Sequence, residues 1–266
     1  MGIPRSGIYN HSNPDKKLQE QEELKEQILS ILNLNPSYGH RRIALALGIS
    51  RKRVRRIMKL YGIRPYKRKA RWRKRRDLRR PAAPYENLIK GICPIVPGTV
   101  LVGDFTHLVY FQKVVYLATY LDLVTREVVG WFVSGRHTKE IVLEAMVDAV
   151  KTLGQLPMVV HTDQGSEYTS KEYIGFLESL GIQISMSKKA SPWENGYQES
   201  FYNNFKTDLG LEFDRFNTLG EFIAAIHLTI NYYNTTRIHT RLKMSPAEYR
   251  RKLMSKITYP RRRMIV

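Results

Sequence analysis

A chain of 266 residues with 42% apolar content is long enough for one large or two ordinary domains around a packed core. Its formal net charge of +20 is concentrated at the front, where residues 1–80 hold 23 Lys and Arg against 6 Asp and Glu, the signature of a polyanion partner. A single cysteine, Cys93, excludes an internal disulfide framework and fits a reducing cytoplasm; no signal peptide is visible, and no apolar run approaches the roughly 20 residues that span a bilayer.

Residues 1–13 read as irregular. Residues 16–34 are charged, with Leu18, Leu24, Ile28, Leu29, Ile31 and Leu32 toward one side, which predicts an amphipathic helix. Residues 41–61 have helix-turn-helix spacing: a helix with Ile43, Ala44, Leu45 and Leu47, then Gly48-Ile49-Ser50, then a helix that Ser50 caps. That second helix turns Val54, Ile57, Met58 and Leu60 inward and Arg51, Lys52, Arg53, Arg55 and Arg56 outward. Five cations within six residues repel one another unless an anion is near, which suits a recognition helix in the DNA major groove better than a merely solvated face. The run KRKARWRKRRDLRR at 67–80 predicts a tail without its own fold, tracking phosphates through Lys67, Arg68, Lys69, Arg71, Arg73, Lys74, Arg75 and Arg76. Trp72 in that run either stacks on a base or packs on the core.

Four prolines in residues 81–98 mark a domain boundary, giving a helical DNA-binding domain at 1–66, a basic and Pro-rich linker at 67–98, a catalytic core at 99–254 and a basic tail at 255–266. Residues 100–110, 114–123 and 127–133 predict three antiparallel strands, the last two joined by Val124-Thr125-Arg126. A helix follows over 138–153, ended by Gly154. The apolar run 158–161 predicts a short buried strand that breaks at Thr162-Asp163-Gln164-Gly165. Ser170 caps a helix that Gly181 stops, and Ile182, Ile184 and Met186 alternate as in a half-buried strand. Ser191-Pro192-Trp193-Glu194 reads as an N-cap, a first-turn proline and a capping-box glutamate, opening a helix through Glu199 toward Lys206. Another helix covers 219–233; Arg237 and His239 read as core seals rather than DNA contacts, and Ser245-Pro246 opens a last helix.

Three acids stand out. Asp104 lies inside a strongly β-prone run, where a carboxylate is costly unless it serves a site. Asp163 projects from the carboxyl end of a strand, where open α/β sheets place their sites. Glu199 shares a helix with Asn195, Asn203 and Lys206, polar groups suited to metal and phosphate. Glu167, Glu172 and Glu178 read as solvated faces, Glu194 as the capping partner, Asp122 as a turn residue and His107 as a strand residue. Oxygen ligands without Cys or His favour magnesium, with manganese as substitute, over zinc.

Between Asp163 and Glu199 lie 35 residues. With the element order strand, hairpin strands, helix, strand, helix, strand, helix, the chain resembles the DDE transposases and retroviral-type integrases. Within them GDFTHL, HTDQGSEYTS and ENGYQESFYNNFK are similar to the three blocks of the bacterial insertion-sequence family usually called IS-three, and MGIPRSGIY is similar to the segment at which that family's second reading frame begins. One departure is local: Ala190-Ser191-Pro192-Trp193 replaces a glycine and asparagine common before the last helix. The resemblance implies an α/β fold, a ribonuclease-H-like core with a mixed five-stranded sheet behind a small all-helical domain. It also implies that Asp104, Asp163 and Glu199 are both catalytic residues and ligands of two magnesium ions, Asp104 bridging. The implied activity is strand cleavage at the element's ends, followed by attack of the 3′ hydroxyl on target DNA, with Lys188, Lys189, Asn195, Asn203 and Lys206 toward the DNA. The implied partners are double-stranded DNA carrying terminal inverted repeats, target DNA, a second copy of the chain and the upstream-frame protein. The competing expectations are a DNA-binding repressor without catalysis and an RNA-cutting ribonuclease-H relative.

Overall fold

The computed structural model describes residues 14–66, 83–188, 192–210 and 213–258. The chain divides into two compact units, residues 1–68 and 69–266.

Among the described residues the first unit has three helices, α1 (Pro14–Leu34), α2 (His40–Leu47) and α3 (Arg51–Leu60). Gly48 ends α2 in the left-handed region (φ 66°), and its N–H and that of Ile49 close onto the last carbonyls of the helix. Ser50 then caps α3, its side-chain oxygen accepting from the Lys52 N–H. Leu24, Ile28, Ile43, Val54, Ile57 and Met58 bury together as an apolar centre. The periodicity misassigns two leucines: Leu18 and Leu60 are exposed, each toward an end of its helix.

The second unit is built on a mixed five-stranded sheet in the order β3-β2-β1-β4-β5, from β1 (Val100–Tyr110), β2 (Lys113–Asp122), β3 (Val128–Ser134), β4 (Val159–Thr162) and β5 (Gln183–Met186). The first three strands are an antiparallel meander; β4 runs parallel to β1, and β5 to β4. The β1–β2 turn is only Phe111-Gln112, both at positive φ (41° and 63°), the backbone a two-residue hairpin demands. Helices α4 (Glu140–Leu153) and α5 (Lys171–Ser179) cover one face, where Leu101, Tyr120, Val142, Met146, Tyr173 and Leu177 pack. On the other face α6 (Gly196–Leu209) and α7 (Leu219–Thr235) bring Phe201, Phe205, Ile226 and Ile230 onto Leu117 and Leu121. A last helix, α8 (Pro246–Thr258), is capped by Ser245. This is the ribonuclease-H-like integrase core, preceded by a helical region.

A 3-10 turn, Pro192–Asn195, precedes α6, and the Glu194 carboxylate accepts from the Lys188 N–H (2.7 Å) and the Asn87 side chain; the Ser191 half of the expected capping box lies outside the described residues. Ser191 and Lys189 lie outside the described residues, as do Lys67, Arg68, Lys69, Arg71, Trp72, Arg73, Lys74, Arg75 and Arg76. Among the described residues no helix is long and apolar enough to cross a membrane.

Candidate active site

Strand register brings the first two acids together. β1 and β4 pair in parallel through Val100–Val159, Leu101–Val160 and Val102–His161. Asp104 and Asp163 each lie two residues beyond the last of these pairs, so they occupy equivalent positions, on the same side, just past the end of the ladder. Neighbouring strands there are about 4.8 Å apart. Each carboxylate accepts one main-chain N–H: Phe105 donates to Asp104 at 2.8 Å and Gly165 to Asp163 at 2.9 Å.

Electrostatics records the crowding. Burial, then the charge of Asp163, with a further contribution from Glu199, pushes the Asp104 carboxyl up to about 8. Asp163 is also raised, first by burial and then by the nearby Glu167. Lys206 opposes this by favouring the charged form of Asp104. The pocket is therefore short of positive charge, and its donors are hard oxygens.

Glu199 is carried in by α6, which is docked on β1 along one stripe. Gln198, 0% exposed, donates its amide to the carbonyls of Val102 and Thr119 and accepts from the Thr119 hydroxyl. Asn195 donates to Gly103 O at 3.3 Å, Tyr202 to Asp104 O at 2.7 Å, and Lys206 to His107 O at 3.1 Å. These spacings, a turn or two apart, present one helix side to the strand carrying Asp104. Among the described residues no group of three Asp, Glu, His or Cys side chains is already gathered as a metal cage, and the charge of Glu199 is felt at Asp104. The donor set fits a magnesium or manganese ion, which would offset the crowded carboxylates.

The integrase core domain family matches residues 96–192, and a second integrase core domain model matches 180–246. The transposase for insertion sequence element IS904 of Lactococcus lactis subsp. lactis is 36% identical over 253 residues, covering 90% of this chain and 98% of that protein. The insertion element IS600 31 kDa protein of Shigella sonnei is 34% identical, covering 95% and 96%. The chain belongs to the integrase-core transposases of insertion-sequence elements. Solved structures agree with this transposase in fold: the simian T-cell lymphotropic virus intasome has a TM-score of 0.54 at 18% identity, covering 90% of this chain and 77% of that one. The HTLV-2 integrase catalytic core domain in complex with magnesium has a TM-score of 0.50 at 21% identity, covering 59% and 98%.

The other sequence-predicted residues of the transposase fall into place differently. Arg51, Lys52, Arg53, Arg55 and Arg56 are all exposed on α3, as are Lys188 and Asn203 on the second unit. Asn195, expected toward DNA, is buried and tied to Gly103, because the 3-10 turn rotates it against β1. Asp122 is a turn residue: its carboxylate accepts from the N–H groups of Gly98, Val124 and Thr125 and from the Thr125 hydroxyl. Arg237 is a core seal, its guanidinium held by Asp208 and by Asn204 at 2.8 Å. Glu167, expected as solvated, is buried and pairs with His137 at 2.8 Å. Gln198, Tyr202 and Glu167 are the residues that sequence reasoning missed. The only signal for the first two was their spacing along the Glu199 helix.

Proposed function

We propose that this transposase cuts DNA at the ends of its insertion sequence and joins the freed 3′ hydroxyl to target DNA, as a second-frame product of the IS-three type. The observation that carries the reading is the parallel β1–β4 register that sets Asp104 beside Asp163, with the helix that bears Glu199 tied to the same strand through Tyr202 and Asp104 O. Asp104, Asp163 and Glu199 would hold two divalent ions, magnesium or manganese. Such ions neutralise the phosphodiester and lower the pKa of an attacking water.

In the first step a water oxygen bonds to phosphorus as the bond to the 3′ oxygen breaks; in the second that hydroxyl takes the place of water at a target phosphodiester. Lys206, anchored on His107 O beside Asp104, lends positive charge to the same pocket. The five exposed cations of α3 would bind duplex at the terminal repeats, with the basic run 67–76, Lys188, Lys189 and Asn203 adding phosphate contacts. Pairing two ends requires at least a dimer, with or without the upstream-frame protein.

Strand joining of end-labelled duplex in magnesium tests the reading. Glu199→Gln is expected to lower it by at least a hundredfold while duplex affinity stays unchanged; full activity in the variant overturns it. A repressor would show that affinity with no magnesium-dependent nicking in the unaltered protein.

A further inference from the structure

On the flank of α6 away from Glu199 there is a second pocket, of about 350 Å³, with no acidic residue among its described lining residues. Its walls include Tyr197, Ser200 and Asn204 of α6, Arg126 from the β2–β3 turn, and His239 and Arg241 from the segment after α7. At 3.6 residues per turn, Tyr197 and Asn204 stand roughly 140–160° around the helix from Glu199, so the two pockets share a helix but not a face.

Arg126 is the unusual member. It is 8% exposed, at φ 64°, and fixed by its main chain: its N–H donates to Asp122 O and its carbonyl accepts from the Tyr233 hydroxyl at 3.0 Å. Its guanidinium carbon lies 4.0 Å from the centre of the Tyr197 ring. Its guanidinium also hydrogen-bonds the Tyr197 side chain, yet among the described residues no carboxylate pairs with it, and its buried Nη1 has no hydrogen-bond partner. A buried charged donor left open costs folding free energy, and a bound anion would recover it. The second guanidinium makes the deficit larger. Arg241 lies close enough for its charge to add to burial in holding the Arg126 pKa below the ordinary arginine value. Two guanidiniums with a serine hydroxyl and an imidazole, and no counter-charge on the wall, form a tetrahedral-oxyanion site.

We propose that this pocket binds a phosphate group, and that its occupant is a backbone phosphodiester of a DNA strand passing along α6 on the side opposite the three carboxylates. The choice of DNA rests on the proposed function; the choice of phosphate rests on the pocket alone. Helix α6 would then separate two strand paths, one cut at Asp104, Asp163 and Glu199 and one held by Arg126 and Arg241.

Two measurements on the full chain in chelator, where no cleavage occurs, test the two halves. In the first, inorganic phosphate is titrated against thermal unfolding. The unaltered protein is expected to gain a saturable rise in Tm that chloride at equal ionic strength does not give, and Arg126→Gln and Arg241→Gln are expected to lose it. Arg241 is exposed, so its variant stays informative if Arg126→Gln fails to fold. An equal rise in Arg241→Gln overturns the site. In the second, duplex affinity is measured against salt for Arg241→Glu and for Arg251→Glu, an exposed cation on α8 that does not line the pocket. Arg241→Glu is expected to weaken binding about tenfold more than Arg251→Glu and to flatten the log–log salt slope by about 1. Equal effects overturn the DNA assignment, and a phosphate-dependent rise beside them would mark a free-phosphate site. Neither readout needs catalysis, so inactivity in strand joining would count against the proposed function without touching the pocket.

Discussion

The Tyr202 hydroxyl donates to the main-chain carbonyl of Asp104 at 2.7 Å, joining the helix that bears Glu199 to the strand that bears the first aspartate. Tyr202 is three residues beyond Glu199, on the side that Gln198 and Asn195 also press against β1. A tyrosine that contributes no carboxylate thus helps to hold the Glu199 helix against the Asp104 strand.

Tyr202→Phe keeps the ring packing and removes that bond along with the hydroxyl's contacts to Leu117 O and the Thr119 hydroxyl. A net hydrogen bond contributes about 1 kcal/mol, so Tm is expected to fall by about 2–4 °C in a unit of this size. Strand joining is expected to fall about tenfold, since small misplacements of reacting groups cost rate steeply. A calorimetric scan and an end-joining assay on one preparation check both. An unchanged rate alongside the lowered Tm would leave Tyr202 with a purely structural role.

Magnesium is expected to raise the Tm of the unaltered protein saturably, by an amount equivalent to about 2.7 kcal/mol at a hundred times its dissociation constant. Asp104→Asn is expected to abolish the rise and chelator to reverse it. A thermal titration with magnesium, then manganese, reads this without DNA; an undiminished rise in Asp104→Asn would place the ion elsewhere.

Gly130→Ala is expected to cost about 3 kcal/mol or more. A Cβ there would stand 2.3 Å from Ala145 O and 2.4 Å from Ala149 N, both main-chain atoms of α4 that cannot swing aside. The helix would have to lift from β3, overpacking the face that holds Tyr120 and Met146. Urea unfolding with unchanged m-value checks it. A loss under 1 kcal/mol would mean that α4 shifts freely.

His40 gives the first unit a pH dependence. Burial, then the charges of Arg41, Arg51 and Arg55, hold its pKa below the usual imidazole value. The unfolded chain therefore binds the proton more readily, so the contribution to stability is present above the unfolded value of about 6.5 and is lost as pH falls from there through the lower folded-state pKa. Unfolding of the first unit followed by circular dichroism from pH 7.5 to 5 is expected to show this decline. His40→Gln is expected to flatten it, and an identical slope in the variant would assign the titration to another group.

The three acids proposed for the site stand out in the sequence because each breaks a local rule: a carboxylate inside a β-prone run, one at the broken end of an apolar strand, one on a helix rich in amides. The meander, the αβ order and the helix-turn-helix followed from period and turn chemistry in the same way. What the sequence withheld depends on contacts between distant segments. Gln198 reads as an ordinary helical polar residue until β1 and β2 lie beneath it. Arg126 reads as a turn residue until α6 and the segment after α7 enclose it. Glu167 reads as a surface acid until His137, 30 residues earlier, reaches it. The Phe111-Gln112 turn was hidden because its positive φ values fall on residues that seldom adopt them.

The arrangement of the sheet also implies an order of assembly. The β1–β2–β3 meander joins segments adjacent in the chain, whereas β4 and β5 must wait for intervening helices before closing beside β1, and α6 is later still. A ribosome-bound chain would complete the strand that bears Asp104 well before the helix that bears Glu199 had emerged to dock on it.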